Sequence, residues 1–150
     1  MTSKLWPELP YEEWVDTRDT LHRWLQIIGK VLVTKSRWVN HSWHTALYVN
    51  ATGLSTAVVH DSDKSFDLNL NFIEHFLNIR CSDGTGKQLH FKNESVASFY
   101  NRFIGALQEL GIAAKIYEKP NELLDATPFP MDETHCSYDP FFANRYWQVL

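Results

Sequence analysis

The strict alternation of apolar and polar residues in SFDLNLNF (65–72) is the feature that most constrains the fold. Phe66, Leu68, Leu70 and Phe72 are apolar, and the residues between them are Asp or Asn. Successive side chains on a strand point to opposite faces, so this stretch predicts a strand with one buried and one wet face. One-sided strands of this kind are typical of antiparallel sheets.

Other stretches have strand character as well. They are short, alternating or rich in β-branched residues, and turn residues such as Asp83-Gly84 separate them. The predicted strands are 30–36, 42–51, 54–60, 65–72, 76–82, 87–92 and 112–117. The connections are short, which favours antiparallel neighbours, because a parallel pair needs a long crossover.

Three segments have helical periodicity: 11–28, 95–110 and a C-terminal stretch that starts at Asp139. Gly29 is a natural stop for the first of them. Strands run together instead of alternating with helices, so the order predicts an α+β fold. We expect one antiparallel sheet of about six or seven strands, with the helices packed mainly on one face, in a single domain over residues 1–150.

The ends of the later helices carry cap signals. Ser95 can cap the second helix, and Gly111 can take the left-handed exit conformation. Asp139 followed by Pro140 suits the start of the last helix. Residues 118–137 between these helices are Pro-rich and irregular, and a loop of this length in a compact domain is usually functional or disordered.

The bulk composition narrows the function classes. The chain has 150 residues, 44% hydrophobic and 21% charged, with a formal net charge of −4. It has no basic stripe of the kind that displaces counterions from phosphates, so we expect no nucleic acid partner. It has no apolar run of about 18 residues and no leader-like apolar segment near its start, so we expect a cytoplasmic protein with no membrane span.

Four motifs follow one another along the chain: LWPELP, TLHRWLQIIGK, VNHSWH and HCSYDP. In this order they resemble the recurring motifs of a bacterial family of unknown function, over nearly the whole chain. The resemblance implies a cytosolic α+β domain, and it implies no activity, ligand or cofactor. It places the following residues in motif positions: Trp6, His22, Trp24, Gln26, Gly29, Lys30, Asn40, His41, Trp43, His44, Tyr48, His135, Tyr138 and Asp139.

The two histidines of VNHSWH are the most interesting candidates for chemistry. A spacing of three places two rings on one face of a helix, which suits a metal, but on opposite faces of a strand. His41 and His44 run into a predicted strand, so we assign no metal. Histidine titrates near physiological pH and can act as an acid or a base. The plain alternative is a structural turn whose imidazoles bind backbone groups.

We therefore hypothesise a small-molecule pocket with unknown cofactors, built by VNHSWH and TLHRWLQIIGK and covered by the loop at 120–138. If the protein is an enzyme, the catalytic residues are His41, His44 and His135. The predicted ligand-binding residues are His22, Gln26, Lys30, Asn40, Trp43, Tyr48, Tyr138 and Asp139.

A non-catalytic interaction module is the alternative. Either the polar face of the sheet or exposed aromatic residues near the termini would then meet a partner chain, and a homodimer is the commonest form of such an assembly. The polar face carries Asp67, Asn69, Asn71, Arg80 and His90. Tyr138 and Asp139 also have a plain structural explanation, since the first can anchor the last helix and the second can cap it.

Overall fold

The computed structural model describes residues 6–150, and the expectation about a leader sequence falls in part on residues outside this range. The described chain forms an open antiparallel sheet of six strands and three α-helices, which confirms the α+β prediction. The helices are α1 (Tyr11–Lys35), α2 (Val96–Glu109) and α3 (Pro140–Gln148). The strands are β1 (Tyr48–Asn50), β2 (Gly53–Ser55), β3 (Val59–Asp61), β4 (Lys64–Asn71), β5 (Phe76–Cys81) and β6 (Gly86–His90). Two short 3₁₀ turns joined at a kink span Asn40–Thr45, and a 3₁₀ helix spans Phe129–Met131.

All pairings in the sheet are antiparallel, and both β2 and β3 pair with β4. Its order is β1-β2-β4-β5-β6, and β3 pairs with β4 beyond the end of β2. The predicted single strand at 54–60 is wrong, because the chain leaves the ladder at 57–58. At this break the Thr56 hydroxyl accepts the Leu68 amide at 3.0 Å and takes the place of a ladder carbonyl.

The alternation in β4 has the expected result. Leu68 pairs with Ile79 and Leu70 with Leu77, and all four side chains are buried in one core cluster with residues of α1 and α2. Asp67, on the opposite face, forms two hydrogen bonds with Arg80 of β5 at 2.7–2.8 Å. The helices therefore cover the apolar face of the sheet.

The first helix is longer than its sequence predicts. Gly29 does not end α1, and the residues at 30–35, predicted as a strand, continue the helix to Lys35. Val31 and Leu32 are buried because they lie one turn after Ile27 and Ile28, on the face that packs against the core. Burial of this face outweighs the local β preference of the β-branched residues.

Two further strand predictions need correction. Residues 42–51 form a strand only at Tyr48–Asn50, and residues 42–45 belong to the kinked 3₁₀ turns at Asn40–Thr45. Residues 112–117 belong to no sheet, although 112–118 run on without a turn or bend.

The cap predictions are confirmed. The Ser95 and Asp139 side chains accept hydrogen bonds from backbone amides at the starts of α2 and α3, and Gly111 has φ 76°.

The indole of Trp24 is the centre of the core. It is fully buried and stacks on Phe91, Phe99 and Tyr138, with ring centroids 5.7, 4.6 and 5.5 Å away. These rings come from the end of the sheet, from α2 and from the segment before α3. Within residues 6–150, no helix has both the length and the apolar character needed to cross a membrane.

Replacing Trp24 tests this packing. We expect Trp24→Ala to lower the free energy of unfolding by about 3–5 kcal/mol, since it removes a large buried ring and leaves a cavity. Trp24→Phe should cost clearly less, because phenylalanine keeps a stacked ring and removes an indole N–H that has no hydrogen-bond partner among the described residues. Urea unfolding of both variants measures the difference, and equal losses would contradict the role of the stack.

Candidate functional site

The VNHSWH stretch folds as a strained turn. His41 and Ser42 both have left-handed backbone angles, with φ 58° and 57°. Such angles cost on the order of 1–3 kcal/mol for each non-glycine residue and persist only where the surroundings hold them. Here the Thr45 hydroxyl donates to the Ser42 carbonyl at 2.7 Å, and the turn packs on α1. The turn reverses the chain between the end of α1 and the first strand.

The same turn orients the His44 ring. Its Nδ1 accepts a hydrogen bond from the Val39 backbone amide at 3.2 Å. A neutral imidazole that accepts at Nδ1 carries its proton on Nε2, so His44 offers a donor to the space beyond it. This geometry suits a hydrogen-bond donor to a ligand better than a base, and the catalytic assignment of His44 stays a prediction.

His44 lines a cleft of about 570 Å³ between the end of α1, the turn and β3, which we call the turn cleft. Trp43 and Tyr48 also line it, and their side chains are 71% and 53% exposed. Its complete lining is Ser36, Arg37, Val39, Trp43, His44, Tyr48, Ala57, Val58, Val59 and His60. None of these lining residues has a carboxylate, so Arg37 is the source of formal charge in the wall.

Sequence reasoning missed Arg37 and His60. The His60 Nδ1 lies 2.7 Å from the hydroxyl oxygen of its cross-strand neighbour Ser65, which orients the second imidazole of the cleft. Next to it, Asp61 pairs with Lys35 at 2.8 Å. A strand prediction for LSTAVVH placed His60 near a strand end, but only the path of α1 brings that end beside VNHSWH.

Three of the predicted ligand-binding residues line a different cleft, of about 380 Å³, which we call the helix cleft. Its complete lining is His22, Gln26, Gly29, Lys30, Val33, Thr45, Asn121 and Glu122. The VNHSWH turn borders both clefts, since Thr45 lines the helix cleft and His44 lines the turn cleft.

The polar groups of the helix cleft hold the loop that covers it. The Gln26 amide donates to the Asn121 carbonyl at 3.0 Å and accepts the Asn121 amide at 2.8 Å. The Lys30 ammonium donates to the Asn121 side chain at 3.1 Å and lies 4.9 Å from the centre of the Tyr117 ring. Desolvation lowers the pKa of Lys30, and it is also the main cause that lowers the pKa of His22, ahead of the nearby Arg23 charge.

His135 belongs to a buried charge cluster. Its Nδ1 lies 2.8 Å from Oδ2 of Asp132, a carboxylate that is almost fully buried. The Arg23 guanidinium, also buried, places Nε 3.3 Å from the same oxygen. Arg23 and Asp132 were not predicted, although Arg23 lies three residues after Thr20 and four before Ile27, within the buried stripe of α1. A charged residue in that position is a signal for a buried partner.

The remaining predicted residues have separate surroundings. Asn40 and His41 are exposed in the turn. Tyr138 is buried against Trp24, and its hydroxyl lies 2.9 Å from Nδ1 of His75. Asp139 caps α3. Their catalytic or ligand-binding roles stay predictions.

Within the described part of the chain, no group of three or more His, Cys, Asp or Glu side chains is arranged to hold a metal ion. Cys81 and Cys136 are free thiols.

The charge cluster predicts a coupled pair of substitutions. Asp132→Asn leaves Arg23 buried without a counter-charge, and we expect the free energy of unfolding to fall by about 3–5 kcal/mol. Adding Arg23→Met removes that unpaired charge, so the double variant should be more stable than Asp132→Asn alone. Chemical unfolding of the two single variants and the double variant measures the coupling. Simple additivity of the two losses would contradict the ion pair.

The His75–Tyr138 pair predicts a pH dependence. Burial lowers the pKa of His75, so protonation favours the unfolded chain, whose histidine has the ordinary pKa. The free energy of unfolding should therefore fall as the pH drops from about 7.5 to about 5.5. His75→Asn should make this fall shallower, and asparagine tolerates the left-handed backbone at this position, where φ is 59°. Thermal unfolding of the parent protein and of His75→Asn across this pH range tests the prediction. Parallel plots of stability against pH for the two proteins would contradict the assignment of this dependence to His75.

Comparison with known proteins gives one family and no activity. No curated protein and no solved structure matches the chain. The sequence profile of DUF5996, a family of unknown function, matches residues 6–150. The chain therefore belongs to the DUF5996 family.

Proposed function

We propose that the turn cleft binds a small organic anion that carries a flat ring. The observation that carries this proposal is the lining of the cleft, which joins Arg37, two imidazoles and two large aromatic side chains without any carboxylate. Ligand sites in proteins typically combine apolar walls with a few convergent polar groups. The volume of about 570 Å³ is within the usual range for such sites.

The aromatic side chains of the cleft offer faces on which a flat ring of the ligand can stack. Trp43 and Tyr48 are more than half exposed at the wall of the cleft, so their faces are accessible. A flat ring that stacks on such a face gains about 0.5–1.5 kcal/mol beyond the area that it buries. Val58, also exposed, extends the apolar surface at the side of β3.

Arg37 and His44 give the cleft groups that favour an anionic ligand. Arg37 offers a planar guanidinium, which suits carboxylate and phosphate groups. His44 presents Nε2–H because its Nδ1 already accepts the Val39 amide. Asp61 follows the cleft residue His60 in β3, and its carboxylate is paired with Lys35. It therefore repels an anion in the cleft less than a free carboxylate would.

The strained backbone of the turn is consistent with a binding role. Unfavourable left-handed residues cluster at ligand sites, where the strain holds a side chain in place. In this turn they precede the two cleft residues Trp43 and His44 directly. Binding is the proposed activity, and nothing in the cleft requires a chemical step.

A matched set of small probes tests the proposal by calorimetric titration. We expect nicotinate and adenosine monophosphate to bind, because both combine a ring with an anionic group. Nicotinamide, which is uncharged, and acetate, which has no ring, should bind at least about tenfold more weakly, as expected for losing a charge-assisted hydrogen bond or a stacked ring.

Three variants locate the binding. Arg37→Gln and Trp43→Ser should each weaken binding of the ring anions by about tenfold. Lys92→Gln is the control, since Lys92 is an exposed cation outside the cleft lining. Equal binding of nicotinate and nicotinamide, or equal effects of Arg37→Gln and Lys92→Gln, would refute an anion site in this cleft.

The exposure of the aromatic wall favours one alternative. Trp38, Trp43 and Val49 are each more than half exposed, and exposed apolar groups of this kind also occur at protein interfaces. Under that alternative the chain forms a homodimer that Trp43→Ser dissociates, which sedimentation velocity would detect. A monomer that binds the ring anions supports the cleft as a ligand site.

A further inference from the structure

The segment at 112–118 has the sequence pattern of a strand but belongs to no sheet. Its backbone runs without a turn or bend, and it pairs with none of the six strands. We propose that residues 113–117 are a docking strand that pairs with an extended, acidic peptide segment of another protein. The segment shares no lining residue with the turn cleft, so this inference is independent of the proposed ligand site.

The backbone of the docking strand is held at its ends and open between them. The Ile112 amide donates to the Leu107 carbonyl at 2.8 Å, and the Glu118 carbonyl accepts the Phe129 amide at 2.8 Å. Between these points, the backbone groups of 113–117 form no hydrogen bond with any described residue. An extended stretch with free amides and carbonyls is a template for an added strand.

The side chains of the segment alternate as they do in a sheet edge. Ile112 and Ile116 are buried and anchor the strand to the body, whereas Ala113, Lys115 and Tyr117 are exposed. This alternation fixes the face that the strand turns to solvent. A partner strand can therefore pair without disturbing the anchors.

A groove lies beside the strand and offers room for the partner. It has a volume of about 640 Å³ and runs between 114–119 and the α2 residues Tyr100, Ile104 and Gln108, with Pro128 in its wall. The α2 residues span about 12 Å at 1.5 Å per residue. The strand from 114 to 118 spans about 13 Å, so the groove fits about four residues of extended chain. Recognition between a helix and a strand edge is an established mode of peptide binding.

The charges along the groove select an acidic partner. Lys115 and Lys119 have no ion-pair partner among residues 6–150, and both line the groove. The acidic group in the lining, Glu118, accepts a hydrogen bond from the Tyr100 hydroxyl at 2.9 Å. A second copy of the chain suits the site less well, because in-register antiparallel pairing would bring Lys115 beside its own counterpart.

The apolar part of the groove adds a second requirement. Ile104 and Ala114 line it next to the lysines. Alternate side chains of a paired strand point to one face, so a partner with apolar residues on one face and acidic residues on the other satisfies both.

The experiment selects peptides without bias and then asks where they bind. Random peptides of about twelve residues are displayed on phage and selected on the full chain. We expect acidic peptides with alternating apolar residues to be enriched. Synthetic copies should lose binding when alternate backbone amides are N-methylated, since the partner's amides then cannot enter the ladder.

Matched variants and hydrogen exchange assign the site. Lys115→Glu should weaken binding of the selected peptide by about tenfold, whereas Lys92→Glu, which reverses another exposed lysine, should change it by less than about twofold. Exchange of the amides at 113–117 should be fast in the free protein and at least about tenfold slower with saturating peptide.

Every other outcome overturns the proposal. Such outcomes are the absence of any enriched peptide, enrichment of basic or uncharged peptides, protection of amides elsewhere, and equal effects of the two lysine reversals. A dimer that protects 113–117 without peptide would make a second copy the occupant and would refute the acidic partner.

Discussion

The buried carboxylate of Asp132 connects α1, the start of α2 and the loop that precedes α3. It lies against the Arg23 guanidinium of α1 and the His135 ring, and it accepts the amides of its own loop. The backbone carbonyl of the same residue accepts the Ala97 amide at the start of α2. A charge with so little exposure is stable only when it is paired and hydrogen-bonded, so these contacts hold the loop against α1 and α2. That arrangement places Tyr138 on the Trp24 indole and Asp139 at the start of α3.

The length of α1 decides where the clefts lie. Because the helix continues to Lys35, the chain leaves it beside β3, and the VNHSWH turn must fold back across its C-terminal half. The turn then separates two clefts: His22, Gln26 and Lys30 line one, and His44 and Tyr48 line the other. In the first cleft the polar groups are occupied by the loop at Asn121, whereas in the second the Nε2–H of His44 points away from its intramolecular partner. This difference is why the proposed ligand site is the turn cleft.

The two proposed recognition surfaces rest on different features of the fold. As proposed, the turn cleft selects its ligand by shape and charge, because a strained turn holds its side chains in place. As proposed, the docking strand selects its partner mainly by conformation, through backbone groups that are unpaired among the described residues, and its lysines add a preference for acidic partners. The sequence patterns at both places are ordinary, and what distinguishes both places is that they are left open to solvent.

The sequence by itself determined the features that short-range patterns encode. The alternation in β4 predicted which side chains face the core, and Ser95 and Asp139 predicted the starts of α2 and α3. Both features depend on residues only a few positions apart. Tertiary structure decided the rest. Residues 30–35 are helical because their apolar side chains bury against the core. Residues 112–117 pair with no strand, and the chain on either side of them is bonded to α2 and to Phe129. The residues predicted to form one site lie in two clefts for the same reason. Whether His44 shares a cleft with His22 or with His60 depends on the packing of distant segments, which no local pattern encodes.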